Sequence, residues 1–541
     1  MIRHGLGMAI LASVLAVALN VAVCQAESVI YTKHNLSASG PGTIRAVSEE
    51  RVCIFCHTPH HAVPSSVATP LWSRPLGASY YDIYASSSLK ARPGQPTGSS
   101  RLCLSCHDGT IALGMLYGAS TPIQFVGGVT TMPPNSPANL TTDLSDDHPI
   151  SFAYTTDLAL ENGELRDPAT LPPAIKLEKG VYLQCTSCHN PHNDQWGNFL
   201  VMRNYWAELC TTCHDKRGWN NAIHSRVMGR RGCNHCHTPH NAEGPERLLK
   251  KMPEEEVCFQ CHPPIERIFV KPYNHPLDET VGVHDPTEDP LTAERHVECF
   301  DCHNPHQAQK TRGGRGGASA SPPDITQNLV GVKGVNLSGV VVAEAEYQYE
   351  ICFKCHADNS FAPPTVPRQI LEDNIRLKLD PANPSYHPIA APGRSNYVPS
   401  LRPYYNTGDM IYCTDCHNND GSTRLACPIG SIYPHILREQ YIQDDYASYT
   451  YSNYALCFNC HDPNILFSSR STFPPHDSHV RQYSIPCSAC HDPHGVPQAR
   501  GATEAANAHL INFDTRFATG TYDSIAKSCN VTCHASNPKN Y

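Results

Sequence analysis

The residues with the clearest chemistry in this chain are cysteine pairs, each followed by a histidine. Residues 233–262 hold two copies of the pattern Cys-x-x-Cys-His, at Cys233, Cys236 and His237 and again at Cys258, Cys261 and His262. This pattern is typical of c-type haem attachment. The two thiols add to the vinyl groups of one haem, and the histidine binds the iron as its proximal ligand. Zinc sites and redox dithiols also use Cys-x-x-Cys, but they give no reason for a histidine after every pair.

The pattern recurs twelve times along the chain and uses 24 of its 26 cysteines. The copies fall into six pairs. The first copies are Cys53, Cys56 and His57; Cys185, Cys188 and His189; Cys233, Cys236 and His237; Cys299, Cys302 and His303; Cys413, Cys416 and His417; and Cys487, Cys490 and His491. The second copies are Cys103, Cys106 and His107; Cys210, Cys213 and His214; Cys258, Cys261 and His262; Cys352, Cys355 and His356; Cys457, Cys460 and His461; and Cys529, Cys533 and His534. The last copy has one extra residue between its cysteines, which still suits a haem. We therefore expect about twelve covalently attached haems and no separate catalytic residues.

Two further groups of histidines are candidates for the second axial position on each iron. Five first copies are followed by Pro-His, and Tyr433-Pro434-His435 stands in for it in the fifth pair. These histidines are His60, His192, His240, His306, His435 and His494. Such a histidine cannot bind the iron of its own motif, because the neighbouring proximal histidine already binds that iron from the other face of the haem. It can reach the partner haem. Each pair also has a histidine upstream, namely His34, His148, His224, His275, His387 and His479. His296 is an alternative to His275, and His476 or His509 to His479, whereas His61, His235 and His284 are surplus. Full bis-histidine ligation would give low reduction potentials.

Little regular structure is predicted to position these residues. Only 40% of the 541 residues are hydrophobic, and 24 of these are the motif cysteines, while 46 prolines and 34 glycines favour turns. We predict a multihaem cytochrome c fold, mostly coil with short α-helices and few short strands. Helices are expected before Cys210, Cys258 and Cys352, and a strand near 338–343. Because haems would supply the missing apolar surface, the apoprotein should be largely unfolded.

The two copies in each pair define six predicted dihaem units after a secretory signal over 1–26. The units span 27–139, 140–218, 219–265, 266–375, 376–465 and 466–541. The signal has an early arginine, an apolar run and a small-residue end, and it predicts export. A retained membrane anchor over 5–23 and lipidation at Cys24 are alternatives. The formal net charge of −9 disfavours nucleic acid as a partner. Only about 43 residues per motif remain, too few for a separate enzyme domain beside the haems.

The doubled pattern resembles the multihaem c-type cytochromes of anaerobic metal-reducing bacteria. The resemblance is carried by the Cys-x-x-Cys-His-x-Pro-His runs, by 33–43 (KHNLSASGPGT) and by His509-Leu-Ile-Asn-Phe-Asp with the final motif. It implies a periplasmic, outer-membrane-associated or extracellular protein that carries electrons outward in anaerobic respiration. Partners would be redox proteins acting as donor and acceptor, with metal oxides or an outer-membrane conduit as further candidates. Two alternatives stay open, a multihaem reductase of the nitrite, hydroxylamine or tetrathionate type with one open iron, and a subunit of a conductive filament formed by a homopolymer.

Overall fold

The fold was analysed in a computed structural model. The structure describes residues 28–63, 70–77, 80–277, 284–294, 296–309, 320–359, 366–421, 427–534 and 539–541. The predicted signal, its membrane-anchor alternative and Cys24 lie outside these residues. Two compact bodies are present. The first runs to Asn220 and resumes over His224–Cys258, and the second holds Asn221–Ile223 and the described chain from Phe259 onward.

The helices are short and separated by irregular chain. In order they are α1 Gly98–His107, α2 Thr156–Asn162, α3 Cys185–Cys188, α4 Glu208–Cys213, α5 Ile223–Val227, α6 Glu255–Phe259, α7 Pro263–Phe269, α8 Cys299–Cys302, α9 Gln348–His356, α10 Ile375–Lys378, α11 Ala455–Phe458, α12 Pro463–Leu466 and α13 Glu504–Asn507. Side chains cap the first turns of some of these helices. In α9, the Glu350 carboxylate accepts hydrogen bonds from the backbone N–H groups of Glu346 and Tyr347, at 2.8 and 3.2 Å.

The strands are shorter still and form small separate sheets. They are β1 Asp82–Ile83, β2 Asp143–Leu144, β3 Phe152–Ala153, β4 Tyr182–Leu183, β5 Tyr273–Asn274, β6 Gly334–Val335, β7 Val341–Val342, β8 Ser385–Tyr386, β9 Gly430–Ser431, β10 Gly495–Val496, β11 Gly520–Asp523, β12 Ser528–Val531 and β13 Lys539–Asn540. The pairs are β1–β2 (parallel, Asp82 opposite Asp143), β3–β4, β5–β9, β6–β7 and β8–β10, and β11–β12–β13 is a three-stranded antiparallel sheet. The prediction of mostly coil with short helices and few short strands is confirmed.

The buried apolar residues form several small clusters instead of one core. In the first body, Ala46, Phe55, Leu113 and Phe125 form one cluster, which packs against motif cysteines Cys56 and Cys106. In the second body the largest cluster contains Val335, Tyr349, Phe353, Ala357, Leu379 and Ile389, and Cys413 packs against it. The clusters therefore flank the motifs, as expected of a chain with too few aliphatic side chains for a single core of its size.

Candidate haem-binding sites

Most first copies of the motif are folded as about one helical turn, which gathers their reactive side chains. In α3 the two cysteines are the first and last residues, and the backbone N–H of His189 donates to the Cys185 carbonyl at 2.9 Å. The same bond joins His57 to Cys53 at 2.8 Å. Residues at positions i, i+3 and i+4 of such a turn share one face. Two thiols and one imidazole consequently project to the same side, as attachment to one planar group requires.

Some second copies are placed instead at the ends of longer helices. α1 ends at His107 and α9 ends at His356, while α4 ends at Cys213. The last motif differs, because Cys529 lies in strand β12 and Cys533 in the following 3-10 turn, Thr532–His534. The extra residue between its cysteines thus coincides with a change from helix to strand.

Several motif thiols lie close to a thiol of the next motif along the chain. Three such pairs join successive units, namely Cys103 with Cys185, Cys210 with Cys233 and Cys352 with Cys413, and the thiols of each pair influence each other's pKa. Within a unit the second cysteines are close enough to influence each other electrostatically: Cys56 with Cys106, Cys188 with Cys213, Cys302 with Cys355, Cys416 with Cys460, and Cys490 with Cys533. The motifs are therefore arranged in rows that follow the chain.

Many motif histidines face a second imidazole across a constant gap. Among the described residues, eight such pairs have ring centroids 5.9–6.2 Å apart: His57–His192, His107–His34, His189–His240, His214–His148, His356–His275, His417–His494, His491–His476 and His534–His479. A metal ion bound by one nitrogen of each ring, with bonds of about 2 Å, holds the centroids roughly 6 Å apart. The gaps therefore have the width that one shared iron requires.

Seven of these eight pairs follow two rules, one of which the sequence did not predict. The upstream histidines His34, His148, His275 and His479 face the second motif of their own unit, but the Pro-His histidines His192, His240 and His494 face the first motif of the preceding unit. The expectation that Pro-His histidines reach the partner haem is therefore not what the structure shows for these three.

The fifth and sixth units depart from the expected assignment in an informative way. His435, the expected substitute for Pro-His, is exposed, and its backbone carbonyl accepts a hydrogen bond from His417 Nδ1 at 2.8 Å. The ring of His417 faces His494 instead. His476, expected only as a replacement for His479, faces His491, so both histidines of the π-helical segment around Asp477–Gln482 are paired. The spacing of three residues between them was the available signal.

The remaining candidate ligands are placed as follows. His387 lies close enough to His461 to affect its pKa, and its Nδ1 donates to the Pro493 carbonyl. His224 is in α5, and His306 is in the turn after α8. His60 is exposed and forms no ring contact with another described histidine. Their role as ligands, like that of the other candidate histidines, stays a prediction.

A recurrent backbone clamp orients the proximal histidine of five first copies. The Nδ1–H groups of His57, His189, His237, His417 and His491 donate to the backbone carbonyls of Pro70, Asn198, Arg247, His435 and His509, at 2.6–2.9 Å. The residue after each acceptor has a positive φ, namely Leu71, Phe199, Leu248, Ile436 and Leu510. Since a carbonyl only accepts, Nδ1 carries the proton and Nε2 is left with its lone pair for a metal ion. These acceptors could not be predicted from the sequence, because a backbone carbonyl can come from a residue of any type.

Burial keeps the imidazoles neutral and therefore able to bind a metal ion. It lowers the pKa of His214, His476 and His494 to about 3, and that of His461 and His491 to about 4. His240 is the exception: although burial opposes it, the hydrogen bond from its Nδ1 to the buried Asp147 carboxylate, at 2.8 Å, raises its pKa. The pair His189–His240 thus has a ligand made more basic by a carboxylate.

Comparison with known families gives one match. Residues 179–218 and 224–267 match the family model described as "Doubled CXXCH motif". That is the signature of covalently bound haem c. It is consistent with a multihaem c-type cytochrome acting in electron transfer, and it covers the second and third pairs of motifs. No curated protein matches the chain. In the part of the chain that the structure describes, no helix is both long and apolar enough to span a bilayer.

Proposed function

We propose that this protein carries electrons along rows of about twelve covalently attached haems, each bound by two histidines. The observation that carries the proposal is the set of eight facing imidazole pairs 5.9–6.2 Å apart, each containing one motif histidine. The other four proximal histidines are His237, His262, His303 and His461. For these we propose the same ligation, with His387 serving His461.

The residues present fit haem c. The first copies such as Cys185–Cys188 offer two thiols and an imidazole on one turn, and small apolar clusters stand beside motif cysteines where a macrocycle needs cover. The proximal Nδ1–H groups are bonded to carbonyls, so that Nε2 is the free ligand atom. When bound, the haems supply reversible one-electron exchange between ferrous and ferric iron.

The protein's own residues would occupy both axial positions of each iron and would set the order of the haems along the chain. A second histidine on each iron leaves no place for a substrate, which favours a carrier over a reductase with an open site. The contacts between cysteines of successive motifs, such as Cys103 with Cys185 and Cys352 with Cys413, keep neighbouring groups adjacent. Electrons would then pass along the chain in sequence order within each body.

We further propose that the protein is exported and works outside the cytoplasm in anaerobic respiration. Haem attachment and the predicted signal over 1–26 support this together. Other redox proteins would serve as donor and acceptor, with metal oxides or an outer-membrane conduit as further acceptors. Assembly into a homopolymer is the alternative role built on the same chemistry, and polymerisation that depends on concentration, seen by negative-stain microscopy, would distinguish it.

Two measurements on the purified protein test the proposal. Mass spectrometry is expected to show about twelve added haems per chain, and substantially fewer would refute the haem number. EPR of the oxidised protein is expected to show only low-spin iron, and the reduced protein is expected to ignore carbon monoxide. One high-spin haem per chain that binds carbon monoxide would instead favour the reductase.

A further inference from the structure

A group of metal-ligating side chains lies outside the haem-binding residues, in the second body. Ligand atoms of His284, His296, Glu298 and Asp301 all lie within 4.8 Å of one another. Glu288 extends the group, since its Oε2 is 3.2 Å from His296 Nε2. From these positions we propose that the five residues form a binding site for one divalent first-row transition-metal ion, separate from any haem iron.

The donor set suits such an ion. Two imidazoles with two or three carboxylates are typical of zinc and of non-haem iron or manganese. Atoms bonded to one ion at about 2.1 Å lie roughly 3.0–4.2 Å apart. His284 Nδ1 is already 3.1 Å from Glu298 Oε2, and His296 Nε2 is 3.7 Å from Asp301 Oδ2. Binding would therefore need only small side-chain movements.

Further contacts hold the side chains of this group in place. His296 Nδ1–H donates to the Glu294 carbonyl at 2.8 Å, which leaves Nε2 with its lone pair directed at the carboxylates. Asp301 Oδ2 accepts the Glu298 backbone N–H at 2.9 Å. The ring of His284 stacks on Phe300, with 5.9 Å between ring centroids and 12° between planes.

Burial and charge both favour a bound cation. The side chains of Glu298 and Asp301 are only 4% and 9% exposed, so their charges are poorly hydrated. The group contains three carboxylates but only one ammonium group lies against it among the described residues, that of Lys354, whose Nζ is 3.4 Å from Asp301 Oδ1. Buried charges are costly unless paired or bound to a metal ion, and one divalent ion would balance the excess.

The two histidines of this group lie beside a haem attachment turn. His275, for which His296 was an alternative, faces His356 at 6.2 Å. The rings of His284 and His296 face each other, with centroids 6.4 Å apart and the carboxylates beside them. Asp301 lies in α8 between Cys299 and Cys302, so the bound ion would also brace the turn that attaches one haem.

The test uses the full-length holoprotein, dialysed against a chelator and then equilibrated with Zn²⁺. Elemental analysis normalised to haem is expected to give one tightly bound Zn²⁺ per chain. His296→Ala and Glu298→Gln are expected to weaken that binding at least tenfold, whereas His61→Ala, which removes an exposed surplus histidine, leaves it unchanged. Wild-type protein that retains no Zn²⁺, or variants that bind it as well as the wild type, would overturn the proposal.

A second pair of measurements distinguishes a separate metal site from ligation of a haem iron by these histidines. Zinc-edge X-ray absorption of the wild-type protein is expected to show mixed nitrogen and oxygen ligands with imidazole scattering, and needs no variant to fold. EPR of His296→Ala is expected to keep the low-spin haem signals of the wild type. A new high-spin haem in that variant would show that His296 is an iron ligand and would refute the separate site.

Discussion

Replacing Asp147 with asparagine tests whether the carboxylate behind His240 tunes one haem. The Asp147 Oδ1 atom accepts a hydrogen bond from His240 Nδ1 at 2.8 Å, and the ring centroids of His240 and His189 are 6.2 Å apart. The carboxylate is therefore about 7 Å from the midpoint between the rings, where a shared iron would be held. Asparagine keeps an oxygen acceptor but removes the charge.

The expected size of the effect follows from Coulomb's law. Two unit charges about 7 Å apart interact by about 2.4 kcal/mol at an effective dielectric constant of about 20. Since 1.36 kcal/mol corresponds to 59 mV for one electron, Asp147→Asn should raise the reduction potential of this haem by about 100 mV. The direction is upward because the negative carboxylate stabilises the ferric state.

The assay is a redox titration of the holoprotein followed by EPR, which separates low-spin signals. Asp157→Asn, which removes an exposed carboxylate in α2 of the same body, is the matched control and should leave every potential unchanged. If Asp147→Asn moves no haem by even a quarter of the expected amount, His240 does not bind iron with Asp147 behind it.

Three further predictions concern a ligand, a packing cluster and an ion pair. His476→Ala should convert one low-spin haem to high-spin in the EPR spectrum, since its ring faces His491, and an unchanged spectrum would exclude it as a ligand. Leu379→Ala, at a residue with 0% exposure, should lower the free energy of unfolding by about 2–5 kcal/mol, whereas Leu371→Ala, at 59% exposure, should have little effect in the same denaturant titration. Arg376 donates two hydrogen bonds to the Asp358 carboxylate and lowers its pKa below the ordinary value of about 3.8. The ion pair therefore stabilises the folded state fully above that pH, and its contribution to the free energy of unfolding is lost as the pH falls below it. Asp358→Asn should thus lower the unfolding midpoint at pH 7 but not in acid, and an equal loss at both pH values would contradict the assignment.

The sequence predicted the chemistry of the sites better than their partners. Residue types alone specify a haem attachment motif, so its cysteines and histidines could be predicted without a structure. The placement of upstream histidines was also predictable, because the rings of His34 and His148 face motif histidines of their own units. The pairing of His192 with His57 was not, since it depends on how one unit packs against the next.

The backbone acceptors of the motif histidines could not be predicted from the sequence, for a different reason. The carbonyls that hold the proximal Nδ1–H groups come from Pro70, Asn198, Arg247, His435 and His509, which share no side-chain property. His435 illustrates the consequence: its place in a Tyr-Pro-His run indicated a ligand, and the structure shows that its backbone carbonyl also holds the His417 ring. Short strands such as β7 Val341–Val342 fell within the predicted stretch because β-branched residues cluster there.

Under the proposed ligation, the backward reach of the Pro-His histidines would tie the maturation of the protein to the direction of its synthesis. The site containing His57 would stay incomplete until the chain has emerged as far as His192, and that of His189 until it has emerged as far as His240. In both cases the following unit would complete the first site of its predecessor. Either unit excised at its boundaries would lose a ligand that lies in the following segment, so a fragment that keeps its ligands would have to extend past its own repeat.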